Sequence, residues 1–329
     1  MNFDLIHIGM MKTATTYMQK IWLRDPNYCL SNKGSNEYLH HLRREVRKGK
    51  MNSLIKTDIS TDRPKQDNQI MILSNEGFST AFLNEIRRQQ RVWKFIDYTS
   101  SQLRYKTRTN QLLITVREPI SWIRSIYIQS IKQGWSGSAQ DFVEEQGLFL
   151  FYSLQLKMIL RYYKRYFEKI LVLPFELLKE NEDKFWHTIT DTFQFPAIET
   201  RIENKLNQSL DLEKAFLLSY LNQMPPDENE KLLNFVPYDN VMEKYESLKI
   251  HSLYRKLVER ATNSDIAKLY NLLELETPKA NFFEFRLQDN FIKSIQKNYL
   301  NCLKRYIDPA FVLQYQQSFD QYIKQNPSS

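Results

Sequence analysis

Eight consecutive residues near the start of the chain, Gly9-Met10-Met11-Lys12-Thr13-Ala14-Thr15-Thr16, bring together the groups that hold an anion. Lys12 supplies a full positive charge, the hydroxyls of Thr13, Thr15 and Thr16 supply donors, and Gly9 is expected to let the chain turn sharply. An apolar run, Phe3 to Ile8, leads into these residues, and a segment with helical spacing, Thr15 to Leu23, follows them. At such a strand-to-helix turn the backbone N–H groups converge with the positive end of the helix dipole, which makes a phosphate cradle. The spacing is not that of the nucleoside-triphosphatase loop, which needs a second glycine just before its lysine, and no G-x-G-x-x-G supports a dinucleotide site.

A second candidate follows another strand-length run, Leu112 to Val116, which leads into Arg117-Glu118-Pro119 and a helix carrying Arg124, Ser125 and Tyr127. Arg117 then stands at the carboxyl end of a strand, on the edge of a parallel sheet where ligands bind and where the Gly9 loop also lies. Two anion sites on one edge suit a ligand with two phosphate-type groups.

With these two motifs the sequence resembles the sulfotransferases that use 3′-phosphoadenosine 5′-phosphosulfate (PAPS). Their phosphosulfate loop looks like GxxKTGTT, and their second motif is Arg-(Asp/Glu)-Pro with a Ser eight residues beyond the Arg, the spacing of Arg117 and Ser125. The resemblance implies that Lys12 meets the bridging oxygen of the phosphosulfate, Thr15 and Thr16 the 5′-phosphate, and Arg117 with Ser125 the 3′-phosphate. Gly9, Met11, Thr13 and Ala14 complete the loop around the cofactor. It extends through ILVLPFELL to Asn207-Gln208-Ser209, over residues 1–210. Two positions depart from the pattern. Ala14 replaces the usual glycine, which is compatible only with a negative φ, and Trp122 stands where many members carry Arg, a contact that Arg124 could replace.

Sulfuryl transfer to an acceptor hydroxyl or amine also needs a base. Two segments leaving the same sheet edge offer one: the loop after the second strand, with Glu37, His40 and His41, and Leu73-Ser74-Asn75-Glu76-Gly77-Phe78 after the third. Glu76 is the leading choice because it follows a buried strand directly. Glycan-modifying members of the family use a Glu in the earlier region, which would favour Glu37, whereas some bacterial members resemble this chain in a His pair there, His40-His41, and a Ser-x-Glu after the third strand. A neutral His suits base chemistry near neutral pH, and a Glu needs burial to raise its pKa. Alternatively, Leu39 and Leu42 face the core from a helix whose histidines face water. His7, inside the first strand, reads as a core histidine.

These residues need a scaffold of strands alternating with helices. Strand-length runs occur at Phe3 to Ile8, near Tyr28 to Leu30, and at Ile70 to Leu73, Leu112 to Val116 and Ile170 to Leu173. Helical spacing marks Thr15 to Leu23, Ser79 to Arg88, Ile120 to Lys132 and Glu182 to Phe193. The pattern implies an α/β fold with a parallel sheet covered by helices; the resemblance makes it a P-loop-like sulfotransferase core. After Pro196 the strands stop, and helices are expected at Leu212 to Asn222, Val241 to Arg260, Asp265 to Leu273 and Asp289 to Tyr306. Hence the expected division is a PAPS-binding core at 1–210 and a helical region at 211–329 packed on it, with Pro225-Pro226-Asp227 as punctuation.

Composition narrows the function classes. The 329 residues are 42% hydrophobic and 26% charged, values of an ordinary globular chain and not of a disordered one. The net charge of +8 reads as spread in mixed-sign stretches; it suits an anionic ligand without specifying nucleic acid, and no nucleic-acid-binding signature accompanies the basic, tyrosine-rich stretch at 152–167. Two distant cysteines, Cys29 and Cys302, suggest no disulfide framework, and no metal motif appears. The N-terminus does not read as a signal peptide, and the most apolar window, Gly147 to Leu156, is too short to span a bilayer. The expected protein is a cytoplasmic, metal-free, PAPS-dependent sulfotransferase acting on a glycan, glycolipid or small metabolite. The alternatives are a kinase with an atypical phosphate loop and a non-enzymatic anion-binding protein.

Overall fold

A computed structural model of the chain describes residues 2–51, 54–55, 57–62, 64–79, 89–202, 210–224, 250–276, 278 and 280–326. Five strands, β1 (Leu5–Gly9), β2 (Tyr28–Ser31), β3 (Ile70–Ser74), β4 (Gln111–Val116) and β5 (Lys169–Pro174), form one all-parallel sheet in the order β2-β3-β1-β4-β5. In chain order the helices are α1 (Thr15–Arg24), α2 (Lys33–Arg47), α3 (Gln89–Thr107), α4 (Pro119–Ile131), α5 (Ala139–Glu145), α6 (Gly147–Ser153), α7 (Leu156–Tyr163), α8 (Phe175–Glu180) and α9 (Glu182–Phe193). They continue with α10 (Leu212–Leu221), α11 (Ile250–Arg260), α12 (Asn263–Leu272), α13 (Asp289–Ile295) and α14 (Pro309–Gln325). After α13 the chain runs on through a π turn, Gln296–Leu300, and a short helical turn, Asn301–Leu303.

The α/β fold expected from the sequence is the one observed. β1 is buried at all five positions and β4 at all but its first, as uninterrupted apolar runs require when both faces of a sheet are covered. Order and register together position the functional edge. β1 lies between β3 and β4, with His7 opposite Ser74 and Gly9 opposite Thr115, so the segments leaving β3, β1 and β4 emerge side by side. The chain goes to one side of β1 for β2 and β3 and crosses to the other for β4 and β5. The rim beside β1 and β4 is therefore where the strand order reverses, the preferred ligand position in open parallel sheets.

The chain divides into two compact units. The first comprises Met1–Trp122, Gly147–Leu206 and Leu287–Ser329; the second comprises Ile123–Gln146 and Asn207–Arg286. A single boundary near residue 210 thus describes only one of the joins. The last 43 positions belong with the sheet because their side chains are tied to it: Tyr299 bonds to the backbone of Arg117, and Tyr315 bonds to Glu176. In the second unit Phe282 packs edge-on against Phe216 at 4.9 Å, and Asn222 donates to the carbonyls of Ile131 and Trp135. The expected helix over Ser79 to Arg88 falls almost entirely outside the described residues, as do Asn207-Gln208-Ser209 and Pro225-Pro226-Asp227.

Candidate functional site

The loop after β1 is shaped by contacts that its sequence alone does not announce. Gly9 is required by close approach and not by a sharp turn: a Cβ there would lie 2.3 Å from Thr115 Oγ1 and 3.1 Å from Thr13 Oγ1. Two residues that carry side chains take the left-handed conformation, Lys12 at φ 60° and Ala14 at φ 62°, ψ 23°. The condition for alanine there, a negative φ, is therefore not met; the loop holds Ala14 in a region normally filled by glycine. Ala14 is the N-cap of α1 and offers no side-chain cap, so the N–H groups of the first turn have no capping partner from it.

Thr13 is placed differently from the expectation of a ligand donor. Its hydroxyl donates to Met10 O at 2.6 Å and meets Thr115 Oγ1 at 2.7 Å, in a residue that is 1% exposed. Because Thr13 spends its proton on Met10, Thr115 must donate to Thr13, and His7 Nε2–H must donate to Thr115 at 3.3 Å. His7 Nδ1 then accepts from Ser74 Oγ at 2.8 Å. Complete burial holds the His7 pKa down to about 3, which keeps the ring neutral, as this directional chain requires. His7 is thus a satisfied core histidine that braces the loop from beneath the sheet edge.

Arg117 reaches the same loop from β4. Its Nη1 donates to Lys12 O at 2.9 Å and its Nε to Ser121 Oγ at 3.0 Å, while the guanidinium stacks 4.9 Å from the centroid of Phe175. Nη2 has no hydrogen-bond partner among the described residues, which leaves donors for an anion. Burial lowers the Arg117 pKa, opposed by Glu176 and Glu118 nearby. The backbone on either side of this side chain is fixed from the far end of the chain: the Tyr299 hydroxyl accepts from Arg117 N at 3.1 Å and donates to Arg117 O at 2.6 Å. Trp122, fully buried, donates from Nε1 to Met11 O at 2.9 Å, so where the family pattern has Arg this chain has a brace for the loop.

Glu76 joins the group from β3. It begins a short 3₁₀ turn, Glu76–Phe78, which Ser79 locks to the loop by donating to Gly9 O at 2.5 Å and to Glu76 O at 2.8 Å. Gly77 leaves room for Leu39, whose Cδ2 would lie 2.3 Å from any Cβ there. Burial raises the Glu76 pKa, while the Thr15 hydroxyl and the Lys12 charge beside it pull the other way. Lys12, Thr15, Glu76 and Arg117 therefore converge on one rim.

Among the described residues, no side-chain hydrogen bond ties the remaining candidates to this group. Glu37, His40 and His41 lie within α2 and not in a loop; Leu39 and Leu42 are buried, Glu37 and His40 are exposed, and His41 Nδ1 meets Arg44 Nη2 at 2.8 Å. What α2 does send to the Glu76 turn is Ser35 and Asn36, whose side-chain oxygens accept from Asn75 Nδ2 at 3.3 and 2.8 Å. Thr16 and Arg124 are exposed. Ser125 belongs to the second unit and is buried, with a hydroxyl that has no partner among the described residues. No cluster of His, Cys, Asp and Glu among the described residues could hold a metal ion.

No protein-family model and no curated protein matches this sequence. Among solved structures, the chain is similar to a sulfotransferase from Alicyclobacillus acidocaldarius, with 12% identity over 84% of this chain and 97% of that one and a TM-score of 0.46. A likeness of that size carries no argument about activity.

Proposed function

We propose that the protein transfers a sulfuryl group from PAPS to an acceptor hydroxyl or amine. The observation that carries this reading is the bond from Arg117 Nη1 to Lys12 O at 2.9 Å, which supports reading the two anion motifs as parts of one site, with Glu76 beside Lys12. The uncapped N-terminus of α1 suits the 5′-phosphosulfate, and the free face of Arg117 suits the 3′-phosphate. PAPS supplies an activated sulfuryl group on a phosphate leaving group.

With PAPS bound, Lys12 would offer its ammonium to the bridging oxygen, where leaving-group charge grows, and the N–H groups of the first turn of α1 would hold the phosphate. Glu76 would take the proton of the acceptor as sulfur bonds to the acceptor oxygen or nitrogen. Its raised pKa brings its basicity closer to that of the group it must deprotonate than an exposed carboxylate would be. The reading rests on residues of the first unit alone.

The test is a transfer assay with PAPS and a panel of hydroxyl- and amine-bearing acceptors. Lys12→Ala is expected to lower turnover by roughly 10²-fold or more while 3′-phosphoadenosine 5′-phosphate still binds. In the unsubstituted protein the rate should rise with pH through the elevated Glu76 pKa, because only the ionised carboxylate accepts a proton; Glu76→Gln should remove that limb along with most of the rate. Full turnover in Lys12→Ala would sink the proposal.

A further inference from the structure

Eight of the 46 Lys and Arg residues lie in two stretches without a single Asp or Glu, residues 147–167 and 290–307. The eight are Lys157, Arg161, Lys164 and Arg165 in the first stretch, and Lys293, Lys297, Lys304 and Arg305 in the second. Both stretches belong to the first unit, and folding lays them against each other.

Several contacts join them. Gln155 Nε2 donates to Ser294 Oγ at 2.6 Å, Phe151 packs edge-on against Phe291 at 5.6 Å, and Lys164 Nζ lies 4.7 Å above the ring of Tyr306. The Cys302 thiol between them feels the charges of Lys164, Arg305 and Lys157 together. All eight cations are exposed, and only Arg165 forms an ion pair among the described residues, with Asp97 at 2.9 Å. Lys157 and Arg161 on α7 and Lys164 at its C-cap recur at i, i+4 and i+7, which is one helix face.

We infer that this face docks the protein on an anionic phospholipid bilayer. Charge complementarity selects a polyanion, and the form of the surface selects a lipid one. Two tyrosines that could stack on unpaired bases are already engaged, Tyr306 under Lys164, and Tyr162 under Arg165 at 4.8 Å and stacked on Trp93 at 6.2 Å. What the face offers is a set of long, exposed cations, which suits a fluid array of headgroups: stems pack on apolar surface while the charges follow the phosphates. No described helix is long and apolar enough to cross a membrane, so the contact is peripheral.

The experiment is co-sedimentation of the full chain with phosphatidylcholine vesicles, with and without about 30% phosphatidylserine, a content that gives a substantial negative surface potential. The protein should pellet only with the anionic vesicles, and added salt should release it. Replacing three cations in Lys157→Gln, Arg161→Gln, Lys164→Gln should lower the partition coefficient roughly a hundred-fold. The same loss of charge elsewhere, in Lys33→Gln, Lys48→Gln, Lys268→Gln, three exposed positions, should change it by no more than a few-fold. Failure to bind anionic vesicles at low salt, equal loss in both triple variants, or capture by polyphosphate or RNA with vesicles ignored would each overturn the inference.

Discussion

Two strand-to-helix junctions stand side by side on this sheet and use the same geometry in opposite ways. After β1, helix α1 starts at Ala14 with no side-chain cap. After β4, helix α4 starts with its own acid folded back: Glu118 accepts from Ile120 N at 3.0 Å and from Ser121 N at 2.5 Å, and Pro119 contributes no N–H. The first junction keeps its dipole and donors for an outside anion, and the second neutralises them internally. An N-terminus is an anion site only when the sequence leaves it empty. At β4 the attraction for an anion therefore rests on the Arg117 side chain.

The strongest way to break this contrast is Arg117→Ala. It removes the guanidinium that the second junction depends on and the bond that holds Lys12 O. Isothermal titration with 3′-phosphoadenosine 5′-phosphate should show affinity falling about 100-fold, the worth of one or two charge-assisted hydrogen bonds. Arg117→Lys should restore only part of it, since a point charge cannot bond Ser121 and Lys12 O in the same fork. Unchanged affinity in the alanine variant would remove the second junction from the site. A smaller effect separates the two helix starts: Glu118→Ala should lower unfolding stability by about 1 kcal/mol, the usual loss for a cap, with donor binding nearly intact. A large loss of binding with no loss of stability would mean that Glu118 serves the ligand and not its helix.

The contrast also marks how far the sequence could be read. All five strands are legible because each is a short apolar run with a break after it, and the two junctions follow from what stands at those breaks. Inside the junctions, distance along the chain hides the rest. Thr13 looks like a ligand donor until register brings Thr115 from β4 within 2.7 Å of it. Trp122 looks like a lost cofactor contact until its indole is found on Met11 O, 111 positions away. Tyr299, which fixes Arg117 from 182 positions away, carries no local signature at all. The second unit is assembled from two segments separated by 60 residues of sheet, so no composition change marks its first join.

The smallest effect bears on how the first junction stays open. Alanine at φ 62° is held about 1–2 kcal/mol above its relaxed conformation, because its Cβ crowds the backbone. Glycine has no such crowding but loses more freedom on folding, an opposing effect of roughly 0.5–1 kcal/mol. The difference leaves Ala14→Gly more stable by about 0.5–1 kcal/mol, a shift that denaturant unfolding resolves. Ala14→Val should move the other way and by more, since a β-branched side chain tolerates positive φ less well. If strain at Ala14 keeps the first turn of α1 aimed at the ligand, the glycine variant should gain stability and lose some turnover together. Gained stability with unchanged turnover would show that Trp122, Ser79 and Arg117, which hold Met11 O, Gly9 O and Lys12 O, suffice to hold the loop in place.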